Sequence, residues 1–260
     1  MPHPRPTLSA IVITRNEAHN LHDCLQSMQG LVDEIIVVDS QSTDATVGIA
    51  QQHGATVSQP ADWPGFGPQK NRALDLATCE WVLSLDADER VTPALAAEIK
   101  QVLQAGDADR AYQVPRLSSY CGKFIHHSGW QPDYVLRVFK RGTARFSDDL
   151  VHERVLTQQP VQALQHHLLH YSYLSFSQVL HKVDAYSSAS AQQAYARGKR
   201  SSVAGALGHG AWAFFRTYVI RRGFLDGAHG LALAISNAET SYYKYLKLWH
   251  MQQVEDAAAQ

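Results

Sequence analysis

Residues 81–89 read Trp-Val-Leu-Ser-Leu-Asp-Ala-Asp-Glu, an apolar run that ends abruptly in carboxylates. A short apolar run between turn signals reads as a buried strand. Acids at its carboxyl end then stand where open parallel α/β sheets bind ligands. Asp86 and Asp88, one residue apart in a turn, can converge on one hard cation. Mg2+ or Mn2+ takes oxygen ligands and leaves the rest of its shell to phosphate and water. The competing reading is a polar turn that merely closes a strand.

Working outward, the flanking sequence repeats the pattern. Leu8-Ser-Ala-Ile-Val-Ile-Thr14 and Glu34-Ile-Ile-Val-Val-Asp39 are two more apolar runs, and Ala55-Thr-Val-Ser58 is a third. Between them lie helical spacings over 20–28, ending at Gly30, and over a stretch capped by Ser42 or Thr43 that runs to His53. Residues 60–68 form a loop, 69–78 a helix, and Pro93 opens another helix where its missing N–H costs nothing. Strand–helix alternation predicts a mainly parallel α/β sheet with right-handed crossovers. From about 110 the pattern changes to short strands at 111–114, 134–139 and 164–169. Helical signals return after Ser175 and continue to about 250, and the last residues, 255–260, are expected to fray.

The 260 residues are 45% apolar and 18% charged, with a formal net charge of −1. That composition suits a globular fold and argues against a nucleic-acid binder that works by bulk positive charge. Cys24, Cys79 and Cys121 are too few and too scattered for a disulfide framework and read as reduced thiols. The amino terminus lacks the features of a signal peptide, and no apolar run is long enough to span a bilayer. Neither GxGxxG nor GxxxxGK[ST] occurs, which removes the usual warrant for a dinucleotide or P-loop site. Phosphate must then meet a metal and cationic side chains. Lys70 and Arg72, near a helix start, are candidates, and a solvated helical turn is the alternative.

Four motifs in order, Ser-Ala-Ile-Val-Ile-Thr-Arg-Asn-Glu-Ala-His-Asn-Leu, Val-Val-Asp-Ser-Gln-Ser-Thr-Asp-Ala-Thr, Gln-Lys-Asn-Arg-Ala and Leu-Asp-Ala-Asp-Glu, resemble family 2 glycosyltransferases of the GT-A fold. Downstream, residues 129–141 (Gly-Trp-Gln-Pro-Asp-Tyr-Val-Leu-Arg-Val-Phe-Lys-Arg) and 148–154 (Asp-Asp-Leu-Val-His-Glu-Arg) resemble lipopolysaccharide inner-core β-1,4-glucosyltransferases. The resemblance runs through His170-Tyr-Ser-Tyr and covers about residues 8–190. It implies a GT-A catalytic domain over 1–175, with a nucleotide-sugar half at about 8–115 and an acceptor half at about 116–175. A helical region over 176–260 would follow.

The resemblance also implies roles. Thr14, Asn16 and Glu17 would lodge the nucleoside, Asp39 would hold the uracil with help from Arg72, and Asp86 would sit near the ribose. Asp88 would ligate the divalent metal on the diphosphate, and His170 would reach the metal or the diphosphate. Many family members carry a Glu-Asp pair as the base motif. Here the segment is Asp148-Asp149-Leu-Val-His152-Glu153, which makes Glu153 the expected base and Asp149 the alternative. The reaction implied is inverting transfer of glucose from UDP-glucose to an inner-core heptose. Metal and Lys/Arg would stabilise the departing UDP, and one carboxylate would deprotonate the acceptor hydroxyl. A nucleotidyltransferase, which would release pyrophosphate, and a non-catalytic saccharide-binding protein are the competing classes.

The neutral total hides an asymmetry. Residues 195–250 carry eight Lys/Arg against Asp226 and Glu239, and the first 194 residues are net acidic. Arg216, Arg221 and Arg222 alternate with Trp212, Phe214, Phe215, Tyr218 and Phe224, and Tyr242-Tyr-Lys-Tyr-Leu-Lys-Leu-Trp249 repeats the mixture. Basic residues beside aromatics suit an anionic membrane surface or a phosphorylated lipid-linked acceptor. The expectation is a peripheral protein on the cytosolic face of the inner membrane. Packing on the catalytic domain or a contact with a second copy is the alternative.

Overall fold

The computed structural model describes residues 6–105, 109–148 and 153–258. The candidate base Asp149 and its neighbour His152 lie outside the described residues. The chain divides into two units, Met1–Arg116 with Asp133–His170 and Leu117–Pro132 with Tyr171–Gln260. This division differs from the boundary at 175 expected from the sequence: it groups 117–132 and 171–175 with the helices.

Strand β1 (Leu8–Thr14) shows why the first unit has helices on two faces. Leu8, Ala10 and Val12 enter one apolar cluster, while Ile11 and Ile13 enter another. Successive side chains of a strand point to opposite faces, so a run that is apolar throughout must be covered twice. β2 (Glu34–Asp39) and β4 (Trp81–Asp86) split in the same way: Val37, Trp81, Leu83 and Leu85 face one cluster, and Ile36, Val38 and Val82 the other. The first cluster is closed by α1 (Ala18–Ser27), α2 (Thr46–Gln52) and α4 (Pro93–Gln104). The second is closed by α3 (Phe66–Leu76) and by β9 (Ala144–Phe146).

The remaining strands are β3 (Thr56–Ser58), β5 (Glu89–Val91), β6 (Ala111–Tyr120), β7 (Lys123–Phe124), β8 (Tyr134–Lys140), β10 (Val155–Thr157), β11 (Val161–Ala163) and β12 (Leu168–Tyr173). The main sheet runs β3-β2-β1-β4-β8-β6-β12-β5, with β11 on β6, and β10 pairs with β9. The first four strands are parallel, as expected; β8 then runs antiparallel to β4, and β6 antiparallel to β8. The carboxyl ends of these four parallel strands therefore lie on one edge, and β8 brings Arg137 to the strand beside β4.

Two local expectations change. The helix after β2 begins at Thr46, because Ser42 and Thr43 bond elsewhere: Ser42 to Asp39, and the Thr43 N–H to Asn16 Oδ1. Asp44 Oδ1 instead accepts from Thr46 N. The strand expected at 164–169 lies at 168–173, where Leu168 pairs with Val91 and His170 with Glu89.

In the second unit, α5 (Phe176–Ala196), α6 (Val203–Phe215) and α7 (Gly227–Ala258) follow β12, with a π-helical turn (Arg216–Ile220) and a 3-10 turn (Gly223–Asp226) between the last two. Ser175 and Ser202 cap α5 and α6 by accepting from Gln178 N and Gly205 N. Both α5 and α6 pack on α7. Ala191 and Ala194 meet Leu248, and His209 stacks on Tyr245 at 3.7 Å. The last helix reaches Ala258, beyond the point where fraying was expected, through a run of good helix formers. Among the described residues no helix is long and apolar enough to cross a membrane.

Candidate active site

The carboxyl ends of β1, β2 and β4 bring Thr14, Asp39 and Asp86 to one edge of the sheet, since β1 pairs Thr14 with Asp39 and Ile13 with Asp86. Asp39 has no accessible surface. Its Oδ1 accepts from the Thr14 and Ser42 hydroxyls, and its Oδ2 from Ser42 N and Gln59 Nε2. Four protein donors thus engage the carboxylate, in the wall where the sequence expectation places the contact with uracil. Asn16, with a left-handed φ of 56°, is part of that wall, donating from its N–H to Ser42 Oγ. Glu17 accepts from Asn20 Nδ2. Burial raises its carboxyl above the ordinary value, and nearby Asp88 adds to the effect. Arg72 pairs with Asp62 at 2.7 Å and bonds Gln69, which donates to Ser40 Oγ. It thus sits one hydrogen bond removed from the end of β2.

The centre of the site is Lys70. Its Nζ lies 2.8 Å from Asp86 Oδ1 and 2.7 Å from Glu153 Oε1, and its side chain is 6% exposed. Burial alone would lower the Lys70 pKa, but the Asp86 and Glu153 carboxylates raise it above the ordinary value, so the ammonium persists. Helix α3 can bring Lys70 there because residue 67 is glycine: a Cβ at Gly67 would stand 1.8 Å from Ser147 O. Asn71, one residue beyond Lys70, locks the same approach by exchanging two hydrogen bonds of 2.9 Å with the Phe146 backbone.

Arg137 and Glu89 join this centre, and neither was singled out from sequence. Arg137 contacts both Asp86 and Glu89, and Arg116 lies 3.5 Å from Glu89 and 2.9 Å from Asp133. Burial would push Asp86 up, yet Arg137 and Lys70 hold it far below the usual carboxylate range. Fully buried Glu89 goes the other way: burial, and then Asp86, raise it against the pull of Arg137. The buried Arg137 Nε has no hydrogen-bond partner. The available signal was a single charge inside the apolar strand Val135-Leu-Arg-Val-Phe139. A cavity of about 380 Å³ opens against this network, lined by Lys70, Asp86, Arg116, Tyr134, Arg137 and Glu153 among others.

Asp88 and His170 form a second pair. The β12–β5 register sets His170 beside Glu89, and His170 Nε2 lies 3.3 Å from Asp88 Oδ2. Cis ligands at about 2.1 Å from an octahedral ion stand about 3.0 Å apart, so the two side chains fit as neighbouring donors to a divalent cation. Among the described residues no cluster of three or more His, Cys, Asp or Glu suits a metal. Asp88 and His170 together offer two such donors. Asp86 is taken by Lys70 and Arg137 and is not among them.

The sequence matches the description of glycosyl transferase family 2 over residues 9–163. A protein of Rickettsia felis described as an uncharacterised glycosyltransferase is 32% identical over 258 residues, 93% of this chain and 89% of that protein. The lipopolysaccharide core biosynthesis glycosyltransferase LpsC of Rhizobium meliloti is 32% identical over 208 residues, 76% of this chain and 75% of LpsC. The crystal structure of S. aureus TarS is similar with a TM-score of 0.48 at 18% identity, over 64% of this chain and 36% of that one. With the match spanning the ends of β1, β2 and β4 as well as Lys70 and Glu153, the chain belongs to glycosyl transferase family 2, on a GT-A-type α/β fold, and is a glycosyltransferase.

Proposed function

We propose that the protein is an inverting, metal-dependent hexosyltransferase that moves glucose from UDP-glucose to an inner-core heptose of a lipid-linked lipopolysaccharide precursor. The work is done at the cytosolic face of the inner membrane. One observation carries the mechanism: Lys70 holds Glu153 and Asp86 on a single ammonium, at 2.7 and 2.8 Å. A candidate base thereby stands beside the strand end that meets the donor. The similarity to LpsC supports the acceptor class.

In this mechanism Thr14, Asn16 and Glu17 form the nucleoside wall, braced by Asp39, and Arg72 closes it through Gln69. Asp86 faces the ribose. Asp88 and His170 would hold Mg2+ or Mn2+, which supplies positive charge to the diphosphate when bound. Glu153 takes the proton from the acceptor hydroxyl. The hydroxyl oxygen attacks the anomeric carbon as its bond to UDP breaks, and the electron pair leaves with UDP. Attack opposite the leaving group inverts the centre. Lys70 keeps Glu153 oriented, and its charge adds to that of Arg137 near the leaving group.

Glu153→Gln tests this reading. It keeps shape and removes basicity, so turnover should fall about 10²–10⁴-fold while UDP-glucose still binds. An active Glu153→Gln protein beside a dead Asp149→Asn protein would move the base to Asp149. Transfer from another UDP-sugar, or to another acceptor, would keep the family and replace the substrate.

A further inference from the structure

The candidate site residues described above all belong to the first unit, and the second carries an apolar surface apart from them. Helix α6 reads Val-Ala-Gly-Ala-Leu-Gly-His-Gly-Ala-Trp-Ala-Phe-Phe. Its only titratable side chain, His209, stacks on Tyr245. Ala206, Gly210 and Ala213 are the buried face, with Gly210 set against Tyr242 of α7. The opposite face is apolar too. Leu207, Trp212 and Phe215, followed by Ile220, Phe224 and Leu225 in the next two turns, are each between 47% and 59% exposed. A surface helix normally turns polar residues to water, and a series of exposed large apolar side chains of this kind marks a contact surface.

The tip of this strip is built rigidly. Asp226 is 2% exposed and accepts from His126 N, His127 N and Ser128 Oγ. A Cβ on Gly230 would come within 1.9 Å of Gly223 O, and Arg222 takes a left-handed φ of 55°. The backbone is thus fixed from beneath while Phe224 and Leu225 point into solvent. Hydrophobic collapse alone would have buried them.

Charge identifies the occupant. From Arg197 to Leu225 the sequence has six Lys/Arg and no Asp or Glu. Arg216, Arg221 and Arg222 are exposed along the strip. A symmetric contact with a second copy would set these cations against themselves. An anionic bilayer complements both the arginines and the apolar strip. Because no described helix can span, the strip must lie in the plane of the interface.

We propose that α6, the π-helical turn and the Phe224–Leu225 tip form a docking face that seats the second unit on an anionic lipid bilayer. The inference extends the lipid-acceptor reading above, and vesicle binding tests it without any catalysis, so either can fail alone.

The experiment is flotation of the full-length protein with vesicles of phosphatidylglycerol and phosphatidylethanolamine, and with vesicles of phosphatidylcholine. The expected result is binding to the anionic vesicles at least tenfold tighter than to the neutral ones, reduced but not eliminated by high salt. Leu225→Glu with Trp212→Glu should abolish it. Arg216→Gln with Arg222→Asn, the latter tolerant of left-handed backbone, should weaken it by about twenty-five-fold, at about fivefold per charge. These side chains are exposed, and circular dichroism should show an unchanged fold. Brominated lipid should quench wild-type fluorescence more than that of Trp212→Phe, which keeps binding. No binding by the wild type, or equal binding by the glutamate variant, overturns the proposal. So does a wild-type dimer that Trp212→Glu dissociates while vesicles are ignored.

Discussion

Lys70 Nζ and Glu153 Oε1 lie 2.7 Å apart at a sequence separation of 83. The same ammonium meets Asp86 at 2.8 Å, so one buried cation ties the donor strand end to the candidate base. Lys70→Met should leave two neighbouring carboxylates without their shared cation. Breaking such a buried pair costs roughly 3–5 kcal/mol. Turnover should fall at least about a hundredfold, the scale of a misplaced general base. Lys70→Arg should recover part of the stability but less of the rate. Steady-state kinetics beside thermal melts separate the two effects, and a fully active Lys70→Met protein would remove the bridge from the mechanism.

The proposed metal site at Asp88 and His170, with two protein donors, should bind metal poorly until a nucleotide adds its oxygens. Titration with Mn2+ alone should give weak binding, and UDP should tighten it by at least about tenfold; by linkage Mn2+ should tighten UDP equally. Asp88→Ala should abolish that coupling and the transfer activity while preserving the melting temperature, because Asp88 is partly exposed at the sheet edge. Strong Mn2+ binding in the absence of nucleotide, or activity in EDTA, would contradict the two-donor site.

Gly67→Ala should be damaging for a reason that composition does not show. Its Cβ would collide with Ser147 O, six residues before Glu153, whose own Cβ lies next to the added atom at 3.5 Å. Overpacking of this kind costs typically about 1–3 kcal/mol, and the shift should carry Glu153 with it. Gly48→Ala in α2 meets nothing within 4 Å and should instead stabilise by about 0.5–1 kcal/mol. Paired denaturation curves and turnover rates would test the contrast. Equal effects at both glycines would refute it.

Acid should loosen the second unit through Asp226. Burial would raise its carboxyl, but hydrogen bonds from Ser128, His126 and His127 hold it below the ordinary value. A carboxyl depressed on folding stabilises fully above the unfolded pKa, about 3.9, and loses that contribution as pH falls through the lower folded value. His127 Nδ1 faces the carboxylate at 3.2 Å, and Lys123 Nζ donates to the Asp226 backbone oxygen. Asp226→Asn should cost about 1–3 kcal/mol at neutral pH and should flatten the loss of stability below pH 4. Chemical denaturation at pH 7, 5 and 3.5 gives the comparison; parallel curves for the two proteins would dismiss the carboxylate as the cause.

The parallel core was legible because β1, β2 and β4 are apolar on both faces, a pattern that helices exposed to water do not show. Asp86, Asp88 and Lys70 could be read as site residues from their place after such strands or at a helix start. What pairwise geometry decides was not legible. The saturation of Asp39 depends on Ser42 and Gln59 folding back on it, which no local pattern announces. Arg137 hid within an apolar strand, and Glu89 passed for the end of an acidic turn. His170 reaches Asp88 only because β12 pairs with β5 four residues later than the apolar run suggested.

That pairing of His170 with Glu89 has a consequence for synthesis on the ribosome. The strand that completes the sheet beside β5 is also the last part of the first unit to be made. Until it emerges, a nascent chain holds nearly all of its parallel core yet lacks the partner for Asp88, and it exposes an unpaired strand edge that invites wrong pairing. The contact between His170 and Asp88 can therefore form only after β12 has been made.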